Sequence, residues 1–285
     1  MRLTRKHALK MHTNKTLTAF ALLFGLLGAC LATPLAAKNN VLYVAVATNF
    51  RTTMQPLIRD FESQYPGHIV ASYASTGKLY AQIRHGAPFQ IFLAADKQRP
   101  QKLLTDGLGV AASQHTYAIG RLVLWQPNST QALDHGSSLQ HLKRLAMANP
   151  KTAPYGLAAA QVLHTLHQEQ AQPQRIFGEN IAQTFQFVGT GNVQAGLVAL
   201  SQILSQSIPE SDYWLIPAHY HEPILQQSVL LKTAAKHPLA QQFYAYLYSD
   251  AAKEIIRKHG YGVMEGGYKP RSAEGNEASN THVKD

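Results

Sequence analysis

VAVATN at Val44–Asn49, IVASYAST at Ile69–Thr76 and LAMANPKTAPYG at Leu145–Gly156 each join a short apolar strand to small polar residues that open a helix. A fourth helix start, GENI at Gly178–Ile181, is predicted to follow a loop. A helix start carries unpaired backbone N–H groups and about half a positive charge, which together attract anions. If these four starts converge, they form a pocket for a small, doubly charged oxyanion that hydrogen bonds alone would hold.

The alternation of strands and helices around these junctions predicts an α/β fold with mainly parallel sheets flanked by helices. The first helix is the clearest, because its apolar residues recur on one helical face: Phe50, Met54, Leu57, Ile58 and Phe61. A later helix is predicted from Leu157, Ala160, Leu163 and Leu166. The strand RLVLW at Arg121–Trp125 is predicted to end the first part of the fold, and Ser228–Leu231 to bring the chain back to it.

The chain of 285 residues is 45% hydrophobic and only 15% charged, a balance typical of a globular protein. Five basic residues and no acid lie within residues 1–30, so half of the formal charge of +10 belongs to that segment. The remainder has no run of Lys or Arg, which argues against nucleic acid as a partner. A mild attraction for anions is what this charge supports.

The first 37 residues are predicted to be a secretory leader. A basic stretch precedes sixteen largely apolar residues, Leu17–Ala32, which are too few for a good membrane span. Two cleavage modes stay open: Leu35-Ala36-Ala37 suits an ordinary signal peptidase, whereas Leu26–Cys30 (LLGAC) resembles a bacterial lipobox that would leave Cys30 lipidated. We therefore expect a periplasmic protein that is either soluble or lipid-anchored. Cys30 is the single cysteine, so no disulfide forms within the chain.

Taken together, these segments resemble the periplasmic molybdate-binding proteins of ABC transporters. The resemblance rests on VAVATNF, on ASTGKLYAQIRHGAPFQIFLAAD at Ala74–Asp96, on PYG at Pro154–Gly156, and on GENIAQTFQFVGTGNVQAGLVALSQ at Gly178–Gln202. It covers residues 41–263 and implies a type II periplasmic-binding-protein fold, in which two lobes close on a tetrahedral oxyanion. We expect lobe 1 to comprise residues 41–124 and 227–262, lobe 2 residues 125–226, and residues 263–285 to form a disordered tail.

The resemblance also implies the ligand residues. Asn49 matches a first-lobe residue that contacts the anion through its side chain and backbone N–H, with Thr48 as an auxiliary donor, and Thr76 with the adjacent Ser75 matches the second first-lobe ligand. In the second lobe, Tyr155 and Ile181 match residues at two helix starts, the latter through its backbone N–H alone. Many members add a tyrosine hydroxyl at the position of Ala199, and we expect the Tyr155 hydroxyl to replace it.

The resemblance implies a monomer that binds molybdate or tungstate, uses no cofactor and delivers its ligand to an inner-membrane ABC permease. Three alternatives stay open: the same fold binding sulfate, thiosulfate or another small anion, an exported enzyme on a two-lobe scaffold, or a ligand-sensing or adhesive surface protein without a permease. We expect no catalytic activity, because the chain shows neither a nucleophile elbow nor a clear acid–base pair. We also expect no directly coordinated metal, because the candidate histidines have no further ligands at a suitable spacing. Lys78, close to one helix start, is expected to be solvated.

Overall fold

A computed structural model of the chain describes residues 40–129, 133, 139, 142–166 and 173–264. The predicted leader with Cys30, and most of the predicted tail, therefore lie outside the described residues. None of the described helices is long and apolar enough to cross a membrane.

The described chain forms two five-stranded sheets. The first sheet has the order β2-β1-β3-β10-β4 and the second the order β7-β6-β8-β5-β9. The strands are β1 (Val41–Ala47), β2 (His68–Ala74), β3 (Ile91–Leu93), β4 (His115–Gly120), β5 (Leu122–Trp125), β6 (Arg144–Ala148), β7 (Gln174–Gly178), β8 (Ala195–Ala199), β9 (Tyr213–Leu215) and β10 (Ile224–Leu230).

Eight α-helices cover the two sheets within the described residues. They are α1 (Arg51–Gln64), α2 (Thr76–Arg84), α3 (Gln98–Thr105), α4 (Pro154–Thr165), α5 (Ile181–Gly189), α6 (Leu200–Ser205), α7 (Pro238–Tyr246) and α8 (Asp250–Lys258). We call the first sheet with α1–α3, α7 and α8 the first lobe, and the second sheet with α4–α6 the second lobe.

Each sheet is mixed, with a parallel half built from strand–helix–strand units. In the first sheet β1 is parallel to β2 and β3, and in the second β6 is parallel to β7 and β8. The antiparallel pairs involve β10 in the first sheet and β5 in the second. These strands are antiparallel because the chain enters them as it crosses between the sheets. The α/β class with two helix-flanked sheets is confirmed.

Apolar cores fill both faces of each sheet. The predicted face of α1 is confirmed, because Met54, Leu57 and Phe61 are fully buried against β1 and α7 in one core of the first lobe. Leu79 and Ile83 of α2 lie in the core on the opposite face. In the second lobe, α4 packs in one core and Val188 of α5 in the other. Because both faces are covered, the central strands β3 and β8 are apolar throughout rather than alternating.

The helix after Pro154 presents a different face from the one predicted. Leu157 is 48% exposed, whereas Tyr155, Ala158 and Ala159 are buried with Val162 and Leu163. The error arose because alanines and a tyrosine form the inner face, and small residues give a weak apolar pattern. Close packing explains their size: a side chain at Gly156 would meet the carbonyl group of Ala148 at the end of β6.

Three further elements differ from the predictions. The prediction that Gly178–Ile181 follows a loop is wrong: it follows β7, a half-exposed edge strand whose sequence QRIFG lacks an apolar pattern. Neither β4 nor the short helix α6 was predicted. The chain leaves the first sheet after Gly120 and re-enters it at Ile224, a few residues before the predicted crossings, so RLVLW belongs to the second sheet.

Candidate oxyanion site between the lobes

The predicted site residues come together around one small cavity between the lobes. The cavity is small, with roughly the room for a single water molecule in this arrangement of the lobes. All six predicted residues line it, together with three that the sequence did not single out: Thr48, Asn49, Ser75, Thr76, Tyr155 and Ile181, with Ala47, Ala153 and Pro154. None of these residues carries a formal charge.

Two helix starts of the first lobe reach the cavity. At the end of β1 a 3-10 turn, Thr48–Phe50, leads into α1, and at the end of β2 Ser75 precedes the first residue of α2, Thr76. The Thr76 hydroxyl oxygen accepts a hydrogen bond from the Ala95 amide at 3.1 Å, which leaves its own hydrogen available as a donor. The Ser75 hydroxyl is buried and has no hydrogen-bond partner among the described residues.

Two helix starts of the second lobe complete the cavity. In α4 the first residue is Pro154, which has no N–H, so the first amide that this helix offers is that of Tyr155. In α5 the Asn180 side chain accepts hydrogen bonds from the amides of Ala182 and Gln183, at 3.0 and 3.1 Å. This cap satisfies two of the unpaired first-turn amides and leaves that of Ile181 at the cavity.

The side chains of Asn49 and Tyr155 both have hydrogen-bond partners that do not line the cavity. Asn49 Nδ2 donates to Gln226 Oε1 at 2.9 Å and to the Tyr261 hydroxyl at 3.1 Å, which uses both amide hydrogens. The Tyr155 hydroxyl accepts from Gln226 Nε2 at 3.3 Å, and Gln226 does not line the cavity. That this hydroxyl replaces the donor that Ala199 lacks stays a prediction, and both residues lie at helix starts where they can offer the cavity their backbone N–H groups.

These hydroxyls stay protonated at physiological pH. Burial raises the pKa of Tyr155 and of Tyr117 well above the usual value of 10 for tyrosine, and raises the pKa of Tyr261 to about 12. The tyrosines beside the cavity are therefore neutral donors and acceptors. The electrostatic attraction for an anion comes from oriented backbone dipoles and hydroxyl groups alone.

A charged pair next to two of the helix starts joins the two lobes and does not line the cavity. Lys78, in the first turn of α2, forms an ion pair with Glu179, which precedes α5. Both side chains are about half exposed. Lys78 was expected to be solvated, and the structure adds this partner from the other lobe, which sequence spacing cannot reveal. No three His, Cys, Asp or Glu side chains in the described part of the chain lie close enough together to hold a metal ion.

Comparison with known proteins agrees with this architecture. Residues 42–262 match the family model of the bacterial extracellular solute-binding proteins. The chain is 42% identical over 233 residues to the molybdate-binding protein ModA of Azotobacter vinelandii, covering 80% of this chain and 92% of that protein. It is 39% identical over 247 residues to ModA of Rhodobacter capsulatus, covering 86% and 94%.

A solved structure supports the same assignment. The periplasmic molybdate-binding protein of Azotobacter vinelandii superposes with a TM-score of 0.74 at 36% identity, covering 79% of this chain and all of that one. The chain therefore belongs to the bacterial extracellular solute-binding protein family. The resemblance to the periplasmic molybdate-binding proteins within it is confirmed.

Proposed function

We propose that this protein binds molybdate between its lobes and delivers it to an ABC importer in the inner membrane. The observation that carries the proposal is the uncharged cavity formed by four helix starts, with a buried Ser75 hydroxyl on its wall that has no partner in the described part of the chain. Its donors are the backbone amides of Asn49, Thr76, Tyr155 and Ile181 and the hydroxyls of Thr48, Ser75 and Thr76. The names of the relatives support molybdate as the ligand.

Uncharged donors suit a divalent anion that carries no proton. A buried donor left without an acceptor costs about 1–3 kcal/mol, so a guest whose oxygens all accept hydrogen bonds is preferred. Phosphate keeps a proton at neutral pH, so its O–H group would face an N–H or O–H donor of the cavity and leave that donor without an acceptor. About seven modest hydrogen bonds suffice for micromolar binding, near −8 kcal/mol. Size then separates molybdate and tungstate from the smaller sulfate, and we propose that both larger anions bind.

The same proposal covers the setting of the protein. We infer export through the leader at residues 1–37, with either cleavage after it or lipidation of Cys30, and function as a monomer. Nucleic acid is not a partner, and neither a cofactor nor a directly coordinated metal takes part, since molybdenum is held as its oxyanion. We infer no catalysis, because no acid–base pair is found among the residues that line the cavity.

Thermal unfolding of the purified protein with molybdate, tungstate, sulfate and phosphate tests the proposal. A ligand that binds only the native state raises the melting temperature by mass action. We expect large shifts with molybdate and tungstate and small or no shifts with sulfate and phosphate, with affinities then measured by calorimetry. Tighter binding of sulfate than of molybdate would overturn the assignment and favour the alternative anion.

A further inference from the structure

Two residues that present amide donors on opposite sides of the cavity belong to one buried hydrogen-bond network, and the Tyr261 hydroxyl in that network does not line the cavity. Tyr261, which follows α8, donates its hydroxyl hydrogen to the backbone carbonyl of Asn49 at 2.7 Å. The same oxygen accepts a hydrogen bond from Asn49 Nδ2 at 3.1 Å, and Asn49 Nδ2 also donates to Gln226, whose amide nitrogen donates to the Tyr155 hydroxyl of the second lobe. Asn49 and Tyr155 each present a backbone N–H at a helix start, so the network that contains Tyr261 connects the two lobes at the site.

Two further side chains bind into the same network. Ser201, in the first turn of α6, donates to the Asn49 carbonyl at 3.1 Å and lies 3.0 Å from the Tyr261 hydroxyl. Gln226 of β10 accepts from Asn49 Nδ2 and from the Tyr117 hydroxyl, at 2.9 and 3.3 Å, while its own amide donates to Tyr155. These contacts fix which way the Gln226 amide faces, with its oxygen toward the first-lobe donors and its nitrogen toward the second-lobe tyrosine.

The backbone holds Tyr261 in place at a crossing between the lobes. The next residue, Gly262, exchanges two backbone hydrogen bonds with Ile119 of β4, at 2.7 and 2.9 Å. One residue further along β4, a side chain at Gly120 would overlap the Tyr155 hydroxyl and lie 2.9 Å from Gln226 Nε2. The ring of Tyr261 also packs edge-on against Phe50, with centroids 5.2 Å apart. All these side chains are buried, and Tyr261 is only 4% exposed.

We propose that Tyr261 is a positioning residue for the oxyanion site, whose hydroxyl sets the separation of the Asn49 and Tyr155 amides and thereby the size of anion that fits. The inference rests on the proposed function above. In a low-dielectric interior such hydrogen bonds are strong and directional. Removing the Tyr261 oxygen frees both the carbonyl and the side-chain amide of Asn49, and with them the path through Gln226 to Tyr155. The cavity of such a variant would accept anions over a wider range of sizes. It would therefore bind molybdate less tightly and distinguish it less well from sulfate.

The test is Tyr261→Phe, which keeps the ring and removes the oxygen, with Tyr248→Phe as a matched control. Tyr248 is a buried tyrosine of the first lobe whose hydroxyl bonds the His115 carbonyl at 3.2 Å, away from the cavity lining. Calorimetry measures the affinity of each variant for molybdate and for sulfate, and thermal unfolding without ligand measures stability. We expect Tyr261→Phe to weaken molybdate binding at least tenfold and to lower the ratio of molybdate to sulfate affinity.

We expect Tyr248→Phe to lower the melting temperature by a similar amount and leave molybdate affinity within twofold. A purely structural role for Tyr261 predicts loss of stability with an unchanged anion ratio, and that result would overturn the inference. If Tyr261→Phe does not fold, Ser201→Ala removes a smaller part of the network and is expected to lower the same ratio. Failure of the wild-type protein to bind molybdate refutes the proposed function, whereas binding that Tyr261→Phe and Ser201→Ala leave unchanged refutes only this inference.

Discussion

The backbone N–H of Gly77 in the first lobe donates to the carbonyl oxygen of Thr152 in the second lobe across 3.0 Å. A second inter-lobe hydrogen bond runs from the Arg99 guanidinium to the Lys151 carbonyl at 3.1 Å, and a third from the Ser201 hydroxyl to the Asn49 carbonyl at 3.1 Å. These contacts, with the Lys78–Glu179 ion pair, describe a closed arrangement in which the two lobes touch each other around the cavity.

Ser75→Ala is expected to weaken molybdate binding about tenfold or more without loss of stability. The hydroxyl is buried without a partner among the described residues, so its removal relieves an unsatisfied donor in the free protein. A hydrogen bond to a charged guest contributes about 1.5–3 kcal/mol, which corresponds to a factor of ten or more in affinity. Calorimetry and thermal unfolding check both effects, with Ser63→Ala on the exposed surface of α1 as control. Unchanged affinity would show that this hydroxyl does not contact the anion.

Gly77→Ala is expected to weaken binding severalfold while leaving the ligand-free protein as stable as before or more so. Alanine favours helices over glycine by up to about 1 kcal/mol. Its Cβ, however, would lie 3.1 Å from the Thr152 carbonyl oxygen and 3.2 Å from the Thr152 Cα, so the lobes cannot close fully without a small shift. Gly189→Ala is the control, because its nearest neighbour, Trp125, is 3.4 Å away. Equal affinities for both variants and wild type would mean that closure tolerates the added methyl group.

Lys78→Met and Glu179→Gln are expected to lower molybdate affinity by the same small factor, at most about fivefold. The pair joins the lobes but is half exposed, and exposed ion pairs contribute about 1 kcal/mol or less and are screened by salt. Calorimetry at low and high salt checks this, and the difference should vanish at high salt. A much larger loss for Lys78→Met than for Glu179→Gln would contradict the pairing and place the ammonium group on the anion.

Stability is expected to fall at alkaline pH because of the buried tyrosines. Burial raises the pKa of Tyr261 from 10 in the unfolded chain to about 12 in the fold. Because the folded pKa lies above the unfolded value, this contribution to stability is complete below about pH 10 and is lost as the pH rises through about 12. Melting temperatures across this range should fall less steeply for Tyr261→Phe than for wild type, with Tyr43→Phe on the exposed surface as control. Parallel curves for all three proteins would argue against this role for Tyr261.

The α/β class and the helix starts were accessible from sequence because each depends on neighbours along the chain. The apolar spacing of α1 and the small polar residues after β1 and β2 are local signals, and so is the proline that opens α4. The half-exposed strand β7 and the short helix α6 escaped detection for the converse reason: their residues take these conformations through pairing and packing with distant segments.

The sequence by itself determined which residues can offer uncharged donors at helix starts, since that requires only residue type and local conformation. Tertiary structure alone decided where those donors point. It brought Asn49 to within 2.9 Å of Gln226, although the two lie 177 residues apart in sequence, and it turned the Tyr155 hydroxyl toward the same Gln226 side chain. Side-chain partners across such separations follow from how the two sheets pack where the chain crosses between them. The periodicity of residues along the sequence carries no information about these contacts.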